Sequence, residues 1–401
     1  MDDSKSLCNN QGSRVAPHIQ VIPKSGIRKF FDLVSTMQGV ISLGVGEPDF
    51  VTPWKIREAM MYSLTKGYTH YTSNLGDKKL RDIICEKFQE RFGGSYSSTT
   101  ECLVTVGVSE GLDLAIRALI SPGDEVLYHE PCYVSYGATV AMAHGVPVPV
   151  RTRAEHDFVI QAEDLEKAVT PRTKVLMLNY PNNPTGAGMT WEDKQKIAEF
   201  AIRHDLVVLS DEIYEDLSYI PRSPSICTIP GMRERTVVFN GFSKAYAMTG
   251  MRIAYALGPH EIVDAMMKIH QYTMLCAPTA SQHGAIEALK SADAERDAMH
   301  EEYEERRNVV VKGFRDMGMD CFMPRGAFYV FPSVACTGMT SEEFAERLLE
   351  EERVAVVPGD AFGASGEGFV RCSYATSMKE IQEALRRIGH FLERHRIAAK
   401  D

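Results

Sequence analysis

The 401-residue chain contains no apolar run near the ~20 residues that a bilayer-spanning helix needs, so no membrane span is expected. It also lacks any C-x-x-C pair. Its nine cysteines are scattered, and an odd, dispersed set reads as reduced thiols rather than a disulfide framework. No metal site is expected. A basic stripe is missing too. Lys and Arg number 44 against 54 Asp and Glu, a net charge of -10, which argues against nucleic acid as the main partner. The first residues, MDDSKSLCNNQG, have neither the basic start nor the apolar stretch of a secretory signal, so a cytoplasmic location is expected.

What is present is ordinary for a soluble enzyme: 44% hydrophobic and 24% charged residues. The length is too great for one small core, and two domains in one body are expected. Short apolar runs at 102–106, 125–128, 146–150, 174–179, 206–210, 236–240 and 253–257 read as strands, with amphipathic stretches such as 110–119 and 192–203 between them. Nearly continuous apolar strands separated by helices predict an α/β fold with a mainly parallel sheet covered on both faces. After about residue 285 the pattern changes. A charged helical stretch at 292–317, short strands at 328–331, 354–357 and 368–374, and helices at 341–350 and 379–394 predict a smaller α+β unit.

Four segments carry chemistry, each just after a predicted strand. They are Gly107-Val108-Ser109-Glu110-Gly111, Asn182-Asn183-Pro184-Thr185-Gly186, Ser210-Asp211-Glu212-Ile213-Tyr214, and Ser243-Lys244 with Arg252 eight residues on. Ligands of open α/β sheets bind beyond the carboxyl ends of the strands, so all four can converge. The glycine segment opens a helix and suits phosphate, although many ordinary strand-to-helix turns look the same. Asp211 ends an apolar strand, where it is either a helix cap or a functional carboxylate. Lys244 alone would be a solvated surface charge. In this company it matches what pyridoxal phosphate needs: a lysine for an imine, an acid for the pyridinium nitrogen, and an arginine with a glycine turn for the phosphate.

Further segments carry a resemblance to a known family. They are Ser25-Gly26-Ile27-Arg28-Lys29-Phe30-Phe31, Ser42-Leu43-Gly44-Val45-Gly46-Glu47-Pro48-Asp49-Phe50, Thr69-His70-Tyr71, Gly241-Phe242-Ser243-Lys244-Ala245-Tyr246-Ala247-Met248-Thr249-Gly250-Met251-Arg252 and Val370-Arg371-Cys372-Ser373-Tyr374. With the Asn-Asn-Pro-Thr-Gly and Asp-Glu-Ile-Tyr runs, in this order, the chain resembles a class I/II aminotransferase of the fold-type-I pyridoxal-phosphate enzymes, near the prokaryotic aspartate and aromatic aminotransferases. The resemblance implies a seven-stranded large domain at 46–289, a small C-terminal domain at 290–401, and residues 1–45 as an arm and part of the small domain. It implies a homodimer acting on an amino acid and a 2-oxo acid.

Residue by residue, the resemblance implies that Lys244 forms the Schiff base with the cofactor and shuttles the substrate proton. Asp211 would pair with the ring nitrogen, and Tyr214 and Asn183 with the ring oxygen. Tyr133 would stack on the ring. Val108, Ser109, Ser243 and Arg252 would hold the phosphate, joined by Tyr71 from the neighbouring subunit. Arg371, with Gly46 and Asn183, would grip the substrate carboxylate. There are departures: many relatives have serine at Gly241, an aromatic residue at Met251, and tryptophan or phenylalanine at Tyr133.

The same lysine and aspartate also serve C–S lyases and cyclopropane-forming synthases on this fold. A transcription regulator with an aminotransferase-like domain is disfavoured, because the stretch before Gly44 contains no basic helical domain. Ile22, Ile27, Phe30 and Phe31 are spaced for one helical face, either core packing or an arm that closes over substrate. The shared substrate pair is expected to be glutamate and 2-oxoglutarate. No motif fixes a second cation opposite Arg371, with Arg28 the one candidate, so an aromatic or other apolar amino acid is expected ahead of aspartate.

Overall fold

The computed structural model describes residues 14–20, 22 and 37–397. Arg28 and most of the expected arm, Ile27, Phe30 and Phe31 included, lie outside the described residues.

Strand β1 (Ile41–Ser42) precedes the main sheet, which is built from β2 (Cys102–Thr105), β3 (Glu125–Glu130), β4 (Val146–Arg151), β5 (Thr173–Asn179), β6 (Val207–Asp211), β7 (Thr236–Gly241) and β8 (Ala254–Leu257). Their order across the sheet is β2-β8-β7-β6-β5-β3-β4. All seven follow the apolar runs. Alternate side chains enter opposite faces: Val175 and Met177 pack with Leu209 and Phe239 on one side, Leu176 and Leu178 with Val208 on the other. Strand β4 pairs only with β3. Its Pro147 and Pro149 have no N–H to donate, which suits an edge position.

Six strands share one direction. Strand β8 runs antiparallel to both β2 and β7. Parallel neighbours need a crossover of a dozen or more residues, usually a helix. Here the chain turns back from β7 to β8 through a compact loop carrying Lys244 and Arg252. The start of β8 therefore lies at the same end of the sheet as the carboxyl ends of the others, and that reversal brings both cations to the ligand edge.

A second core gathers the C-terminal elements: β9 (Tyr329–Val330), β10 (Val354–Ala355), β11 (Val357–Pro358), β12 (Val370–Ser373) and three helices, Asp293–Asp316, Ser341–Glu352 and Met378–His395. Strands β11, β12 and β9 form an antiparallel sheet, while β1 pairs in parallel with β10. The helices bury Tyr303, Phe314, Phe344, Leu348, Ile388 and Phe391 against that sheet. Truncating a buried Phe such as Phe314 to alanine typically costs about 3–5 kcal/mol. No described helix is long and apolar enough to cross a membrane.

Candidate active site

A cavity of about 580 Å³ opens at the carboxyl ends of the main strands, against the second core. Lys244, Asp211, Tyr214, Val108, Ser109, Tyr133, Asn183, Ser243, Arg252, Gly46 and Arg371 all line it. Tyr71 does not. It is 79% exposed on its own chain.

The turn after β2 brings an arginine against a helix start. Gly107 has φ +81°, a conformation that favours glycine, and a Cβ there would sit 2.4 Å from Arg252 Nη2, which would have to shift. The Val108–Leu119 helix then begins, its first N–H groups free of intrahelical partners by geometry. Arg252 is anchored by an Nη1 donation to the Thr249 carbonyl at 3.0 Å. At Gly241 the absence of serine has a steric cause. A Cβ would meet Ala254 Cβ at 2.7 Å across the β7–β8 ladder.

Asp211 sits at the end of β6. Burial pushes its carboxyl up to about 6, against hydrogen bonds from the Tyr136 hydroxyl and the Ile213 N–H, at 2.8 and 3.2 Å, that favour the charge. Asn179 joins this group to the next. Its Nδ2 donates to the Asp211 carbonyl at 3.1 Å, and its Oδ1 accepts from the Asn183 N–H at 3.1 Å. The Asn179 N–H donates to His129 Nε2 at 3.0 Å. Burial holds His129 down at about 4, so its ring is neutral and that nitrogen can accept.

Lys244 Nζ donates to the Gly46 carbonyl at 2.7 Å. Burial lowers its ammonium to about 8. Glu47 and Asp211 oppose that shift, and the positive charges of Arg371 and Arg252 add to it. The site therefore favours a free amine nearer neutrality than an exposed lysine would.

Arg371 lies between two rings, 4.7 Å from Tyr329 and 4.8 Å from Phe362. Its Nη1 donates to Asn183 Oδ1 at 2.9 Å and its Nη2 to the Gly44 carbonyl at 2.6 Å. Its Nε is buried with no partner. Burial lowers the guanidinium's pKa, and no carboxylate among the described residues pairs with it. A fixed, desolvated fork with a spare donor has the chemistry to receive a carboxylate.

Three polar lining residues lie outside the motifs read from the sequence: Tyr136, Asn179 and Tyr329. Tyr329 shares a hydrogen bond of 2.9 Å with the Tyr214 hydroxyl. Tyr136 stands edge-on to Tyr133, ring centres 6.0 Å apart. Nothing local marks their reach to Asp211, for Tyr136 and Asn179, or to Tyr214, for Tyr329, because those partners are distant in sequence.

Residues 38–388 match the family model described as aminotransferase class I and II. The chain belongs to this family. It is therefore an aminotransferase, of the fold-type-I architecture whose members imply pyridoxal phosphate as cofactor. Among relatives, this aminotransferase is 52% identical over 382 residues to the putative aminotransferase YugH of Bacillus subtilis, covering 95% of this chain and 99% of that one. It is 42% identical to aromatic-amino-acid aminotransferase 2 of Thermococcus litoralis, over 96% of this chain and 99% of the relative. The crystal structure of the aspartate aminotransferase from Rhizobium meliloti superposes with a TM-score of 0.92 at 38% identity, covering 96% of this chain and 100% of that one.

Proposed function

We propose that this aminotransferase moves an amino group between an L-amino acid and a 2-oxo acid by a ping-pong mechanism, with glutamate and 2-oxoglutarate as the shared pair. The observation that carries this reading is one cavity lined by a lysine with a lowered pKa, a buried aspartate, and an arginine whose Nε has no partner. Those groups fit pyridoxal phosphate and an α-carboxylate. Bound, the cofactor would supply an aldehyde carbon for the substrate amine and a ring that draws electrons from the α-carbon.

The chain's own residues do the rest. Lys244 Nζ would hold the cofactor covalently and would carry a proton on and off the substrate α-carbon. Asp211 would keep the ring nitrogen protonated. Tyr214 and the amide of Asn183 would donate to the ring oxygen, and Tyr133 would stack on the ring. The Val108 and Ser109 N–H groups, the Ser109 and Ser243 hydroxyls and Arg252 would hold the phosphate. Arg371 orients the α-carboxylate through its fork, with Gly46 shaping the wall behind it.

We also propose the homodimer, with Tyr71 reaching the phosphate of the other subunit. Tyr71 stands exposed, and so do the apolar side chains of Trp54, Tyr62 and Tyr272. A fully active monomer in sedimentation would overturn this. The division into an N-terminal segment at 1–45, a large domain at 46–289 and a small domain at 290–401 belongs to the same proposal; the pairing of β1 with β10 supports it.

For the side chain of the amino acid we propose an aromatic or other apolar group. Lys244, Arg252 and Arg371 are the cations among the described lining residues, and each already has a task. Relatives carry both aromatic and aspartate names. Incubating the holoenzyme with amino acids and 2-oxoglutarate tests the reaction type. Glutamate should accumulate in step with the new 2-oxo acid, and its absence across the panel would sink the proposal.

A further inference from the structure

Glu110 poses an electrostatic puzzle. It follows Ser109 directly, so its carboxylate stands in the first turn of the helix whose N-terminus is read above as the phosphate cradle. A second negative charge so near a phosphate dianion is repulsive unless it is turned away and put to use. It is turned away: Glu110 does not line the cavity. Its Oε2 reaches back and accepts the Val106 N–H at 2.5 Å. Its Oε1 meets His270 Nδ1 at 2.8 Å.

His270 comes from a different element, the His260–Thr273 helix, and is fully buried. The Nδ1–Oε1 contact is the one hydrogen bond of the His270 ring, whose Nε2 is buried without a partner. On the other side of the turn the Thr105 hydroxyl donates to the Gly107 carbonyl at 3.1 Å. The Thr105–Val106 and Gly107–Val108 peptides are thus held from two directions, while Gly107 itself keeps φ +81°.

We propose that Glu110 and His270 are positioning residues for the phosphate cradle. His270 locks the Glu110 carboxylate onto the Val106 N–H and so sets the angle at which the Val108 and Ser109 N–H groups face the cavity. This rests on the reading that the cradle binds the cofactor phosphate.

The test compares dissociation constants of pyridoxal phosphate and of pyridoxal, which lacks the phosphate, for the full-length protein stripped of cofactor, read by visible absorbance. Losing a buried hydrogen-bond partner is worth roughly tenfold. Glu110→Ala and His270→Leu should therefore weaken pyridoxal phosphate by about tenfold and leave pyridoxal within about twofold. His270→Asn, whose amide can donate from near the Nδ1 position, should recover most of the loss. A merely structural role would weaken both ligands together, and that result, or no change in either, overturns the proposal. Arg252→Ala separates the two levels of failure. If it leaves the ratio of the two constants unchanged, the phosphate reading itself falls. If it changes the ratio while His270→Leu does not, only the role of Glu110 and His270 falls. Should Glu110→Ala not fold, the His270 pair decides alone.

Discussion

The Tyr136 hydroxyl donates to Asp211 Oδ2 at 2.8 Å, with both groups buried at the floor of the cavity. This bond favours the charged carboxylate against the desolvation that disfavours it. Tyr136→Phe should therefore raise the Asp211 pKa further and weaken its hold on the ring proton. Losing one buried hydrogen bond to a charged group is worth about 1.5–3 kcal/mol, or about one to two decades in rate. We expect kcat to fall by that order with little change in KM. A variant with unchanged kcat would show that the bond is only structural.

In its proposed role Asp211 trades stability for function. Its pKa in the folded protein, about 6, is raised above the ordinary 3.8 by burial. The stability associated with the protonated form is therefore complete below the unfolded value and lost as pH rises through about 6. The loss is of order 3 kcal/mol at neutral pH. Asp211→Asn should therefore make the cofactor-free protein melt a few degrees higher at pH 8. That advantage should hold down to about pH 6 and shrink only below it, toward about pH 4. Activity should collapse in the same variant. A melting advantage independent of pH would refute the charge argument.

The sheet was legible because its strands, the edge strand β4 apart, are buried on both faces and read as unbroken apolar runs. Motif order likewise exposed Lys244, Asp211, Asn183, Arg252 and Arg371, which the fold does gather into one cavity. Two kinds of information were not legible. The direction of β8 depends on how a short return loop packs, and hydropathy carries no sign of direction. The partners Tyr136 and Tyr329 lie 75 and 115 positions from Asp211 and Tyr214, so no local pattern joins them. The 328–331 run showed itself only as a strand, although Tyr329 turns its hydroxyl into the site.

Lys244 gives a pH prediction for loading the cofactor. Only the neutral amine attacks an aldehyde, and burial brings this ammonium down to about 8. The rate of covalent incorporation should rise with pH and level off above about 8, well below the range of an ordinary lysine. Lys244→Ala should remove both the visible absorption of the imine and all transamination, while some cofactor still binds through its phosphate. An incorporation rate that is flat from pH 6 to 10 would contradict the role of the lowered pKa.

Arg371→Lys probes the carboxylate receptor. The guanidinium holds Asn183 and the Gly44 carbonyl through its two Nη atoms and keeps Nε spare. Lysine cannot hold both partners and still present a planar fork. KM for the amino acid and for the oxo acid should rise together, by about tenfold or more for a lost charge-assisted bond. If neither KM moves, the carboxylate binds elsewhere.

The side chain of the amino acid is decided by what lies beyond Arg371. An aspartate or glutamate substrate brings a second carboxylate into the cavity, and burying it unpaired would cost several kcal/mol. The described cavity lining includes Tyr133, Ile213, Tyr329 and Val45, together with Glu47, whose Oε2 accepts from the Thr249 hydroxyl at 2.9 Å. Glu47 would repel a distal carboxylate and leave an apolar ring untouched. If glutamate is the shared partner, as proposed, a cation from outside the described residues, Arg28 first among them, would have to pair with its side chain. Two outcomes follow. In a panel ranked by kcat/KM with 2-oxoglutarate, phenylalanine and tyrosine should stand above aspartate. Arg28→Ala should then lower kcat/KM for glutamate and 2-oxoglutarate while leaving the half-reaction with phenylalanine nearly unchanged. Aspartate far above both aromatic substrates would overturn the preference, and equal losses for glutamate and phenylalanine would show that Arg28 acts only on the packing of its segment.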